Sequence, residues 1–104
     1  MTGYNWAEIV QSYASPTPSS SGNTNAASWN AGRGDTTLLT MNMDIHSPFL
    51  AEYTTFESVW SRAINIGRAG GYLDNTTSYT ALTITTSSGT MTGGTVDVYG
   101  YAKA

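Results

Sequence analysis

Between Leu39 and His46 the chain reads LTMNMDIH, and apolar and polar residues change places at every step: Leu39, Met41, Met43 and Ile45 against Thr40, Asn42, Asp44 and His46. Successive side chains of a strand point to opposite faces, so this period of two specifies a half-buried strand. A strand of this kind needs sheet partners, and the rest of the chain must supply them.

Candidates are present on both sides. In YNWAEIVQSY, Trp6, Glu8 and Val10 share one strand face, with Ala7 and Ile9 on the other. The run EYTTFESVWSRAINI is ambiguous: Tyr53, Phe56, Trp60 and Ala63 recur at helical spacing, whereas Trp60, Ile64 and Ile66 suit a strand. Its Thr, Val and Ile content favours a strand, with a helical turn at its start. SYTALTITT alternates again, with Thr80, Leu82 and Ile84 on one face. Near the end, Ser88 and Gly89 read as a turn and Gly93 and Gly94 as a positive-φ position or bulge. Beyond them Val96 and Val98 are expected to point inward, and Asp97, Tyr99 and Tyr101 outward.

Two segments read as connections. Residues 15–36 are rich in Pro, Ser, Gly and Asn and predict a long loop, and GRAGGYLDNTT predicts a Gly-rich turn. About five strands separated by turn signals, with no internal repeat, indicate one all-β domain over residues 1–104: an antiparallel β-sandwich or partial jelly roll.

Composition agrees with this class and excludes others. The chain has 104 residues, and a domain of that size buries about 60–70% of its unfolded surface. It has no cysteine, so neither a disulfide framework nor a Cys-based metal knuckle is available. Charged residues are only 11%, against about 25% in an average soluble protein, and 17 Thr and 12 Ser carry the polarity instead. Thr is β-branched and suits half-exposed strands. A net charge of −3 with four scattered Lys and Arg offers no stripe for a phosphate backbone, which argues against nucleic acid. No apolar run approaches the ~20 residues of a bilayer span, and the N-terminus lacks the pattern of a secretory signal.

Catalytic constellations are weak. Asp44 and His46 share a strand face, but two residues do not make a metal site and no further ligand is nominated. His46 lacks a nucleophile context such as G-x-S-x-G. Glycosidase chemistry needs two carboxylates across a cleft, and Glu52 and Glu57, an odd number apart, fall on opposite faces of a regular strand. No catalytic residue, metal or cofactor is expected. Arg33-Gly34-Asp35 matches a tripeptide of integrin ligands, and Asn75-Thr76-Thr77 a glycosylation acceptor, yet both arise readily in polar loops.

The aromatics are more informative. Three Trp, seven Tyr and two Phe accompany very little charge, and sugar rings stack on aromatic faces beside Asn, Asp and Thr hydrogen bonds. Trp29 in the polar loop, Tyr72 after two glycines and Tyr79 at a strand start are the candidate ligand contacts, with Trp6 and Trp60 assigned to the core.

The order of GYNWAEI, then SPTPSSSGNTNAAS, then MNMDIHSPF, and finally YTALTITTSSGTMTGGTVDVYGY resembles the C-terminal jelly-roll modules of tail fibres and related virion proteins of tailed bacteriophages. The last stretch is the most specific: a strand, an S-S-G turn, a Gly-rich bulge and a terminal strand ending in x-Y-G-x. Gly89, Gly93 and Gly94 match the turn and bulge, and Tyr99 and Gly100 the terminal strand. The resemblance implies a virion location, a homo-oligomer with a trimer favoured, contact with other virion proteins, and recognition of a host-surface glycan.

Modules of this kind begin with strands that precede the N-Y-x-W-like segment, and here the chain starts almost at it. The fold is then reduced, completed by a neighbouring subunit, or part of a longer product. The expected function is a non-enzymatic tail-fibre or appendage module contacting a glycan. The alternatives are a capsid decoration (cement) protein and, less favoured, a polysaccharide-degrading enzyme.

Overall fold

The period-two segment folds as a strand, and four others join it in a single sheet. The computed structural model describes residues 2–100, with β1 (Tyr4–Ser12), β2 (Ser19–Ala26), β3 (Leu39–His46), β4 (Thr54–Arg62) and β5 (Asn65–Leu73). Every pairing is antiparallel, and the order across the sheet is β2-β1-β5-β4-β3. There is no helix among the described residues, so the all-β antiparallel class expected from the sequence is the one observed.

Alternation assigns the two faces. One carries Trp6, Glu8 and Val10 from β1, Met41, Met43 and Ile45 from β3, Thr54, Phe56, Ser58 and Trp60 from β4, and Ala69 and Leu73 from β5. Val10, Phe56, Trp60 and Ala69 form its buried centre, with Trp6, Met41, Met43 and Ile45 packed against them. β4 alternates buried and exposed without interruption from Thr54 to Ser61, which rules out the helical turn expected at its start.

Two corrections concern segments that carry no hydrophobic signal. The expected loop over residues 15–36 contains β2, whose sequence SSSGNTNA has no large apolar side chain. It is an edge strand, held by main-chain pairing to β1 alone. A bulge near its end sets Tyr4 opposite Ala26 but Trp6 opposite Asn23, and Asn25 takes a positive φ of 53° there while donating its N–H to Asn5 Oδ1 at 3.1 Å.

The expected Gly-rich turn is β5, the central strand. Its glycines answer to neighbours rather than to a bend. A Cβ at Gly67 would stand 2.1 Å from the Trp60 ring, and one at Gly71 would stand 2.0 Å from the Asn5 carbonyl oxygen. The large indole of β4 therefore requires an empty position on β5.

Because β2 and β3 are opposite edges, residues 27–38 must cross the whole sheet, and they do so over the apolar face. Trp29 stacks at a tilt on Phe56 (centroids 4.6 Å apart) and meets Tyr4 edge-on at 5.3 Å. Its Nε1–H donates to the Tyr72 carbonyl at 3.2 Å. Further on, Ser58 Oγ donates to the Ala31 carbonyl, and Gly32 passes against Met41 and Trp60. This crossing segment is the second layer over the core, an arrangement consistent with a small sandwich-like or jelly-roll-like domain.

After β5, Asp74 N–H donates to the Gly3 carbonyl at 2.8 Å, and Tyr79 N–H donates to the Pro48 carbonyl at 2.8 Å. Residues 80–100 form no strand. Gly89, Gly93 and Gly94 have φ of 70°, 72° and 80°. The strands expected around them are absent, however: Val96 and Val98, expected inward, are exposed, the latter at 83%, and Tyr99 and Gly100 belong to no strand. Alternation alone cannot make a strand when no neighbour takes its hydrogen bonds. Tyr101 lies outside the described residues.

Candidate binding face

Among the described residues, none forms a layer over the second face of the sheet. Along the central strand it carries Ile66, Arg68, Gly70 and Tyr72. β1 adds Ala7 and Ile9, and β4 adds Thr55, Glu57, Val59 and Ser61. Register fixes how these meet. Ile9, Arg68 and Val59 form one rung across three strands, and Ala7, Gly70 and Glu57 form a neighbouring rung on the same face.

The first rung is a ridge of long side chains, and the second is low because alanine and glycine leave it empty. A shallow trough of about 520 Å³ lies over Gly70, lined by Ala7, Thr55, Glu57 and Arg68 among others, and a second of about 340 Å³ lies beside Ile66, between Ile9 and Val59. Ile9 is 60% exposed and Val59 57%.

Charge on this face is sparse and uneven. Arg68 sits within the apolar ridge, and Glu57 borders the trough. Neither has an ion-pair partner among the described residues. Asp44 lies opposite Glu57 in the β3–β4 ladder, so two carboxylates share this side of the sheet. Sequence spacing compared Glu57 with Glu52 and missed this neighbour, because only strand register brings residues 44 and 57 together. The two stand side by side on an open surface, not across a cleft of the kind glycoside hydrolysis uses.

The three expected aromatic contacts are not brought to one place. Trp29 belongs to the opposite face, where its ring covers Phe56 and its N–H is committed to Tyr72 C=O. Tyr79 is half-buried and held through its backbone to Pro48. Tyr72 alone lies on the open face, where it meets the exposed Tyr53 edge-on at 6.2 Å. Tyr53 was hidden in the run of ambiguous periodicity, and only the β4–β5 pairing places it beside Tyr72.

The charged residues of the crossing segment serve the fold. Arg33 Nη2 lies 2.6 Å from Glu8 Oε1, and Glu8 is only 2% exposed. Ser21 Oγ donates to the same oxygen at 2.8 Å, so this buried carboxylate ties β1, β2 and the crossing segment together. Asp35 accepts the N–H groups of Thr37 and Ala63 at 3.0 Å each, with Arg62 Nε 3.7 Å away. Those two backbone bonds, first Thr37 and then Ala63, hold the Asp35 carboxyl below its ordinary pKa, and nearby Arg62 adds to the effect. Both charged ends of Arg33-Gly34-Asp35 are thus engaged within the chain.

Tyr4, between the core and the last segment, has its phenol pKa raised by burial and by the neighbouring Tyr79. Asp44 and His46 project from one face of β3, both exposed. No group of three or more His, Cys, Asp or Glu is placed to hold a metal among the described residues. Comparisons with protein-family models, with curated proteins and with solved structures found no match to this chain.

Proposed function

We propose that the protein is a non-enzymatic structural module of a tailed-bacteriophage particle and that it works by assembly through its sheet surface. The observation that carries the assembly reading is the open face. Ile9, Val59 and Ile66 stand exposed on a regular five-stranded sheet whose other face is already covered. Water-exposed apolar residues gathered on a flat face are the usual mark of a surface that packs on another protein. The bacteriophage assignment rests on the order of the sequence segments GYNWAEI, SPTPSSSGNTNAAS, MNMDIHSPF and YTALTITTSSGTMTGGTVDVYGY, of which the last supports it by sequence alone because residues 80–100 form no strand. A tail-fibre or appendage position and a capsid decoration position both suit such a module.

The test is localisation. Particles of a phage or prophage that encodes the chain are labelled with an antibody raised against it and imaged. Label at the fibre or tail tip supports an appendage role, and a regular lattice on the capsid supports cement. Purified particles that lack the protein overturn the reading.

A second reading, contact with a host-surface glycan, is favoured by the exposed Tyr53–Tyr72 pair alone, since Trp29 is committed to the core side. Glycan arrays probed with wild-type protein and with Tyr53→Ala check it. Binding that survives the substitution removes this pair as the platform.

A further inference from the structure

We infer that the open face is covered by the same face of a second copy, the two sheets stacking about a two-fold axis that crosses the strands at the level of Ala69. The inference concerns the protein's own association and stands apart from its location on a particle. Three properties of the face lead to it: its shape, its apolar residues and its charges.

The ridge of Ile9, Arg68 and Val59 adjoins the low rung of Ala7, Gly70 and Glu57. A two-fold axis between these rungs, lying in the interface across the strands, sets the ridge of each copy over the low rung of the other. On the central strand, residues equidistant from Ala69 then meet across the interface: Arg68 faces Gly70, and Ile66 faces Tyr72. The empty position at Gly70 receives the longest side chain of the ridge, and the exposed Ile66 gains an aromatic surface.

Charge makes the choice of partner specific. Arg68 has no ion-pair partner within its own chain among the described residues, and neither does Glu57. Glu57 stands directly across the β4–β5 pairing from Gly70, so an Arg68 lowered over the partner's Gly70 arrives beside the partner's Glu57. Symmetry makes the contact twice. The apolar ridge would deter a solvated partner, while the cation within it selects one carrying a carboxylate beside a small residue. The chain itself supplies that combination. Two sheets packed this way, at the ordinary spacing of about 10 Å, make a sandwich from two chains.

The experiment is sedimentation velocity over the micromolar to tens of micromolar range, with circular dichroism as the check on folding. Wild type should show a reversible dimer. Arg68→Glu and Glu57→Arg should each weaken association about tenfold or more, and the double exchange R68E/E57R should restore most of it, because the pair is re-formed with its charges reversed. Restoration requires both variants to fold, so it cannot be confused with a structural failure. A wild-type monomer throughout the range, a trimer without a dimer, or an R68E variant that associates as wild type overturns the inference. A monomer whose Val59→Cys thiol resists modification also overturns it and points to residues 80–100 of the same chain as the cover.

Discussion

The two faces of this one sheet are built from the same five strands and are treated differently by the chain. On one face Phe56 and Trp60 are almost inaccessible beneath Trp29, Ala31 and Gly32. On the other, Val59 stands exposed one residue from Trp60 along β4, and Ile9 one residue from the buried Val10 along β1. Hydrophobicity sets part of the difference, since Met41, Met43, Ile45, Phe56 and Trp60 share the covered face while Asn42, Asp44, Glu57 and Arg68 lie on the other. The route of the chain supplies the rest: residues 27–38 must travel from the β2 edge to the β3 edge, and they pass over the apolar side. A connection, not a second sheet, covers the core.

Substitutions that attack the covered face should have the largest effects. Trp60→Ala removes the 1%-exposed centre of that face and should cost about 3–5 kcal/mol in a urea melt. A loss of under about 1 kcal/mol would mean the face is not packed as described. Gly67→Ala tests the same contact from the opposite strand. Its Cβ would stand 2.1 Å from the indole, so destabilisation of about 1–3 kcal/mol is expected although a methyl group is added.

Trp29→Ala probes whether the crossing segment is truly a layer. The side chain is half-buried and its N–H is bonded to Tyr72 C=O. A loss of about 2 kcal/mol is expected, below the range for a fully buried indole. By contrast, Val59→Thr on the open face should change the stability of dilute, unassociated protein by no more than about 0.5 kcal/mol. Equal losses at Trp29 and Val59 would erase the distinction between the faces.

The smallest effect should appear in the pH dependence of the crossing segment. The Asp35 carboxyl has a lower pKa folded than unfolded, so its ionised form stabilises the protein. That contribution is fully present above the unfolded value of about 3.9 and is lost as pH falls through the lower, folded value. Asp35→Asn should therefore be less stable than wild type at neutral pH, with the gap closing in acid below about pH 4. A gap that persists unchanged at low pH would assign the loss to something other than the charge.

Much of the architecture was legible in the residues. Leu39, Met41, Met43 and Ile45, and likewise Trp6, Glu8 and Val10, announce strands because one face of each is selected for burial. The all-β class follows from those alternations and from Thr-rich, low-charge composition. The partners of Arg33 and Asp35 were not legible, since Glu8 and the Ala63 amide that engage them lie far away in the sequence. The aromatic group was less legible. Exposure was expected of Trp29 from its polar surroundings, yet a lone indole in a polar loop is free to fold back onto any apolar face within reach.

What the sequence determined by itself is which segments have two unlike faces: β1, β3 and β4 carry that information in their side chains. What only the tertiary structure decided is the identity of β2 and β5, the fate of residues 80–100, and which segment covers the apolar face. Ser19–Ala26 and the glycines of Asn65–Leu73 are strands because neighbouring backbones take up their hydrogen bonds, and Thr80–Ile84 is not one because none does. Backbone pairing leaves no periodic mark on the chain, and so it becomes visible only when the sheet is assembled.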